Sequence, residues 1–270
     1  MNWSAHQIAL IRAPRNSFVL EPNLFVMLCT RLDNGRYPME EIIELWPKKT
    51  KNLGVYDYFS TWAWGQDRLR NPGAYVPAAS PSTIIAHMRR FHDLGYRFFA
   101  PESSANFGIY GPGYYVAMRG MWDLDADPNA LMTDFLTNSF GPAADTMREF
   151  YELMDPASGR MMHWNTYSRL GQLLDKASGE VQGHPDVAKR LDQLKLYFIA
   201  EYLQFRRTDG SGDDAQAKEF AFRVPVATQD RGKLWSIRNP APIHFFNLPN
   251  LFSLDPGKVV IPAQWASEKL

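Results

Sequence analysis

Two carboxylates stand where they could do chemistry. Asp57 follows the apolar stretch LGVY and Glu102 follows YRFFAP, so each acid closes a segment with the character of a buried strand. Trp62 and Trp64 come soon after the first acid, and Phe107, Tyr110, Tyr114 and Tyr115 soon after the second. Hydrolysis of a glycosidic bond needs two such groups. One carboxyl protonates the leaving oxygen, and the other activates water or attacks the anomeric carbon; a separation of about 5–5.5 Å gives retention and about 6.5–9.5 Å inversion. Aromatic rings beside the acids suit a sugar, because an apolar ring face can stack on it while a polar tip hydrogen-bonds. Asp57 and Glu102 are therefore the expected catalytic pair, with Tyr58, Trp62, Trp64, Tyr110 and Arg31 as expected substrate contacts. The competing reading is structural: either acid pairs with Arg31 or Arg97 or caps a loop, and the tryptophans pack a strand end against a helix.

The elements that would hold these residues follow from apolar patterning. Residues 23–31 (NLFVMLCTR) form a continuous apolar run between Pro22 and the turn signal Asp33-Asn34-Gly35, as expected of a strand buried on both faces. Residues 38–50 predict a helix with Met39, Ile42, Ile43 and Trp46 on its apolar side, ended or kinked by Pro47. A second strand is predicted over 53–61, a loop rich in Gly, Pro, Asn and Ser over 65–80, and a helix over 81–94. Ser80 or Ser82 is the expected cap of that helix, its apolar side is Ile84, Ile85, Met88, Phe91 and Leu94, and Gly95 sits where a C-terminal cap belongs. A third strand over 96–100 completes strand, helix, strand, helix, strand. Such an order implies right-handed crossovers and a parallel sheet.

Beyond residue 113 the pattern turns helical. Helices are predicted over 114–122, 128–139, 142–154, 167–177 and 185–207, the last with an apolar stripe at 187, 191, 194, 198 and 202. Asp127 as cap with Pro128 after it marks one helix start, and Gly141-Pro142 marks another. A polar, Gly-rich linker covers 208–214. The remainder is rich in Pro and Asn, with 243–246 and 258–261 as short strand candidates. The chain thus divides at the sequence level into 1–113, 114–207 and 208–270.

Composition narrows the partners. Lys plus Arg and Asp plus Glu both number 29, so charge supplies no case for nucleic acid or an anionic membrane surface. The aromatic share is 14%, above an average domain, which fits sugar stacking and core packing alike. The one cysteine, Cys29, lies in LFVMLC and reads as a buried structural thiol, so neither a disulfide framework nor a cysteine-built metal site is expected. The six histidines have no ligand spacing of the HExxH kind, and His87 and His92, five apart on one predicted helix, do not share a face. Asp123, Asp125 and Asp127 imitate the opening of a calcium loop, but Pro128 and Asp134 stand where such a loop needs Gly and Glu. Their expected roles are a turn and a helix start. No metal or cofactor is expected. The first residues lack a basic segment followed by an apolar one, so no secretion signal is read there.

The run GMWDLDADPNALMTDFLTNSFGPAADTMREFYELMD, residues 120–155, carries a resemblance. With Trp122-Asp123, Phe140-Gly141-Pro142-Ala143-Ala144 and Phe150-Tyr151, it resembles the helical segment after the barrel in a large bacterial family of glycoside hydrolase-like proteins. That family is related to α-glucuronidases and β-hexosaminidases. The preceding VYDYF and FAPES match the family's last barrel strands in order and spacing, and the likeness covers about residues 20–206. It implies an α/β fold: the last strands of a (β/α)8 TIM barrel, followed by a helical appendage. It further implies a site at the carboxyl ends of the strands, near Arg31, Asp57 and Glu102.

The implied activity is hydrolysis of a glycan containing a uronic acid or an amino sugar. Asp57 and Glu102 would be base, nucleophile or orienting carboxylates, and the general acid would lie on earlier strands. Three strands are few for a parallel sheet, so the chain is expected to lack an upstream half, and a periplasmic or secreted location follows if its leader is missing. The alternative is a catalytically incomplete carbohydrate-binding or structural fragment, and a third reading is a helical interaction module.

Overall fold

The computed structural model describes residues 20, 22–30, 38–59, 80–103, 107–155 and 164–208. Strands β1 (Val26–Cys29), β2 (Leu53–Tyr58) and β3 (Phe98–Glu102) form a parallel sheet in the order β1-β2-β3. Their sequences VMLC, LGVYDY and FFAPE supply the β-branched and aromatic residues that pack on a pleated surface. The register pairs Val26 with Leu53, Gly54 with Phe98, Asp57 with Pro101 and Tyr58 with Glu102.

Helix α1 (Met39–Leu45) connects β1 to β2, and α2 (Ile84–Asp93) connects β2 to β3. Pro47 sits in a short 3-10 turn, Trp46–Lys48, because its missing N–H cannot continue the ladder. Gly95 ends α2 at φ 102°, a left-handed conformation open to glycine, and its N–H donates to the His92 carbonyl at 2.9 Å. Both helices cover the same face of the sheet. Ile42, Ile43, Trp46 and Phe91 bury Val26, Leu28, Leu53 and Val55 in one cluster. On the opposite face Phe25 and Phe98 remain 43% and 57% exposed, with their rings edge to face at 4.6 Å.

The expected partial (β/α)8 TIM barrel is overturned. Most described residues are helical, and the described strands form a three-stranded sheet in which β1 and β3 each pair only with β2. Alternating strands and helices dictate parallel pairing and the hand of the crossover, but not the tilt and stagger that close a sheet on itself.

The helical region comprises α3 (Phe107–Trp122), α4 (Pro128–Phe140), α5 (Ala144–Met154), α6 (Trp164–Glu180) and α7 (Pro185–Thr208), with a 3-10 turn at Gly141–Ala143. Asp127 caps α4 by accepting from the Asn129 N–H at 3.0 Å, and Pro128 follows at the first helical position. Helix α3 begins earlier than the pattern predicts and runs straight through residue 113. A single apolar cluster links the two parts of the chain, from Phe59, Ile84, Ile85 and Met88 to Phe140, Phe150, Tyr167 and Tyr202.

Two contacts fasten the sheet region to the helices. Gly120 of α3 meets α2 so closely that a Cβ there would lie 2.7 Å from Met88 Cε and 2.8 Å from Ile85 Cγ1. Asp155, just past α5, accepts from the Ser80 hydroxyl at 2.5 Å and the Ser82 hydroxyl at 2.9 Å. The two serines expected to cap α2 therefore hold α5 instead. Thr83 occupies the cap position, without a side-chain cap bond. Residues 209–270, including both late strand candidates, lie outside the described residues. Gly120→Ala overpacks the α2–α3 contact and is expected to cost about 1–3 kcal/mol, measured as a lower urea midpoint with unchanged slope.

Candidate functional site

Asp57 is fully buried, and its carboxylate is occupied on both oxygens. Oδ1 accepts from the Thr30 hydroxyl at 2.8 Å and from the Tyr58 N–H at 2.8 Å, and Oδ2 lies 2.7 Å from Nε2 of His87. Polar groups from the residue after β1, from β2 and from α2 thus converge on one acid beneath the helical layer. Such convergence is what a buried carboxylate requires, since an unpaired one would be far too costly to bury. His87 is held edge-on to Phe91 at 5.2 Å and to Phe99 at 6.2 Å, and its side chain is 30% exposed.

Glu102 occupies the other face. Asp57 pairs with Pro101 and Tyr58 pairs with Glu102, so the alternation of a strand sends Asp57 toward the helices and Glu102 away from them. The Tyr56 hydroxyl donates to Glu102 Oε2 at 2.7 Å. The other oxygen, Oε1, has no partner among the described residues, and Glu102 is half-buried. Burial, and then the bond to the Glu102 carboxylate, push the Tyr56 phenol up to about 12. Tyr58 stands edge to face on Tyr56 at 5.2 Å, and its hydroxyl lies 3.4 Å from Cys29 Sγ. Burial raises the Tyr58 phenol as well. Cys29, Tyr56, Tyr58 and Glu102 therefore form one polar and aromatic set on the face that lacks α1 and α2.

The sequence-predicted residues separate accordingly. The two acids lie on adjacent strand ends but project to opposite faces. Tyr58 belongs with Glu102. Tyr110 is 7% exposed inside the helical core, its ring 6.0 Å from that of Tyr114. Arg31, Trp62 and Trp64 lie outside the described residues. The aspartates of the calcium-like stretch have local duties. Asp123 accepts from the Asp125 N–H, Asp127 caps α4, and Asp125 pairs with Arg89 at 3.1 Å. Thr30 and Tyr56 escaped the sequence reading, and His87 was weighed there only as a metal ligand. His87 was discoverable, because it falls three residues after Ile84 and four before Phe91, within the stripe that α2 turns to the sheet. Tyr56 and Tyr58 were linked by strand alternation to one face.

A cavity of about 620 Å³ lies elsewhere, between α2 and the turn before α4, with Glu44, Arg89, Arg90 and Pro128 in its wall. Its arginines are engaged, Arg89 with the Leu124 carbonyl and Asp125, and Arg90 with Glu40. Among the described residues no helix is long and apolar enough to cross a membrane.

A family model described as Domain of unknown function (DUF4838) matches residues 6–152. No curated protein and no solved structure matches the chain.

Two outcomes are expected from this geometry. Asp57→Ala strands the donors on Thr30, Tyr58 and His87 and is expected to lower stability by about 1–3 kcal/mol in chemical denaturation. Because the folded Tyr56 phenol lies above its ordinary value of 10.0, the stability it contributes is complete below pH 10 and is lost as pH rises toward about 12. Tyr56→Phe should remove a late phenolate from the alkaline absorbance titration and flatten that part of the pH–stability curve.

Proposed function

The chain belongs to the DUF4838 family, and from that premise we propose that it is a carbohydrate-active protein of glycoside hydrolase-like type. Glu102 is its substrate-facing carboxylate. The observation that carries the reading is the state of that side chain. It stands at the carboxyl end of a parallel strand, half-buried, with Tyr56 holding Oε2 and with no partner on Oε1 among the described residues, so that Oε1 can accept from a ligand hydroxyl. Ligands of parallel sheets gather at this end of the strands. The half-buried Tyr56 ring beside it supplies the apolar and polar surface that a sugar needs, backed by the buried Tyr58 ring. The resemblance carried by residues 120–155 supports the same class, with a glycan containing a uronic acid or an amino sugar as substrate. In hydrolysis Glu102 acts as base, nucleophile or orienting group, and Asp57 supports the sheet end from behind.

A second reading, glycan binding without turnover, is favoured by one observation. Both oxygens of Asp57 are engaged on the covered face, so the described residues bring one open carboxylate to the strand ends, whereas hydrolysis uses two. The two readings separate when the 270-residue chain is titrated with a panel of uronic-acid and amino-sugar oligosaccharides by calorimetry and assayed for released reducing ends. Hydrolysis predicts turnover that falls about 100-fold or more in Glu102→Gln. Binding alone predicts heat that Glu102→Gln weakens, and no reducing ends. Turnover undiminished in Glu102→Gln, or no binding to any sugar, would sink the assignment.

A further inference from the structure

His87 offers chemistry that the glycan reading does not use. Asp57 cannot meet a ligand itself, because it is fully buried and Thr30, the Tyr58 N–H and His87 already occupy its oxygens. Among the partners described, the imidazole is the one that can carry its influence to a ligand. With Oδ1 taken by two donors and Oδ2 facing Nε2, the carboxylate calls for a proton on Nε2, which leaves the lone pair on Nδ1. Phe91 and Phe99, both edge-on to the ring, fix its plane. The side chain is 30% exposed, and the ring has no second hydrogen-bond partner among the described residues. A histidine whose tautomer and orientation are set by a buried acid, with its other nitrogen available, is the arrangement of an oriented general base.

We infer that Thr30, Asp57 and His87 form a proton-accepting relay in which His87 Nδ1 is the reactive atom. Its ligand is a water or an alcohol bound beside α2 at the sheet end. The proton leaves the ligand oxygen for Nδ1, giving an imidazolium, and Asp57 stays ionised and stabilises that charge. Asp57 and Thr30 are positioning residues. They set which nitrogen carries the proton and do not exchange protons with the ligand. A purely structural role, pinning α2 to the sheet, would be satisfied by either protonation state of the ring and would confer no reactivity.

The test needs no sugar and does not depend on the preceding proposal. Nitrogen-15 NMR of the intact chain should show that the neutral form of the His87 ring carries its proton on Nε2, the nitrogen facing Asp57. Diethyl pyrocarbonate, which acylates an unprotonated imidazole nitrogen, should modify His87 faster than His92, even though the His92 side chain is more exposed, at 54%. Asp57→Asn should slow acylation of His87 by about tenfold or more, the order at which the loss of a residue orienting a histidine is felt. Thr30→Val should slow it less. A neutral ring protonated on Nδ1, acylation of His87 no faster than of His92, or an unchanged rate in a folded Asp57→Asn chain would overturn the relay. Should Asp57→Asn fail to fold, the tautomer and the relative acylation rate of the unaltered protein decide the matter.

Discussion

A buried carboxylate governs the construction of the sheet end. Asp57 carries its charge to a position with no solvent contact, so every acceptor direction must be met by the protein. Among the described residues, donors to it come from Thr30 just after β1, from the backbone of β2 and from α2. Their convergence ties the first strand, the second strand and the covering helix to one point. Helix α2 is therefore held by more than apolar contact, and its neighbouring side, at Ile85 and Met88, receives α3 at Gly120. The contact between the sheet region and the helical region thus rests on a helix that a single acid helps to anchor.

The sheet divides the chemistry between its two faces. On the covered face lie the acid, its hydroxyl donor and an imidazole gripped by phenylalanines. On the other lie a tyrosine-held glutamate, a second tyrosine and a buried thiol. One residue of strand register separates the two sets, since Asp57 sits opposite Pro101 and Glu102 opposite Tyr58. Two acids that look like partners along the chain consequently serve different surroundings, one satisfied and enclosed, the other half-buried with Oε1 unpartnered among the described residues. The apolar side chains Phe25 and Phe98 extend the open face toward the amino ends of the strands.

The helical region depends on ordinary apolar packing, in which Phe140, Phe150, Tyr167 and Phe198 are almost wholly buried. The tyrosines there show how polar tips are accommodated. Tyr151 is buried with its hydroxyl donating to the Gly108 carbonyl at 2.6 Å, and burial pushes its phenol well above the ordinary value. Aromatic richness in this chain therefore has a large core component, and Tyr110 belongs to that component.

By itself the sequence determined the local elements. Apolar runs bounded by turns located the three strands, a 3.6-residue period located the helices, and Pro47, Gly95, Asp127 and Pro128 marked their ends, because each of these signals acts within a few residues of itself. It also placed Asp57 and Glu102 at strand ends. Tertiary structure alone decided how the sheet is built, since it depends on pairing between distant strands, and the described strands do not form the expected partial barrel. It likewise decided that Ser80 and Ser82 hold Asp155 instead of capping α2, and that Asp57 meets Thr30 and His87, residues 27 and 30 positions away. Strand alternation alone separates the faces of Asp57 and Glu102 only once the register of β2 against β3 is known. That register is set by packing across the whole sheet, which no local stretch of sequence specifies.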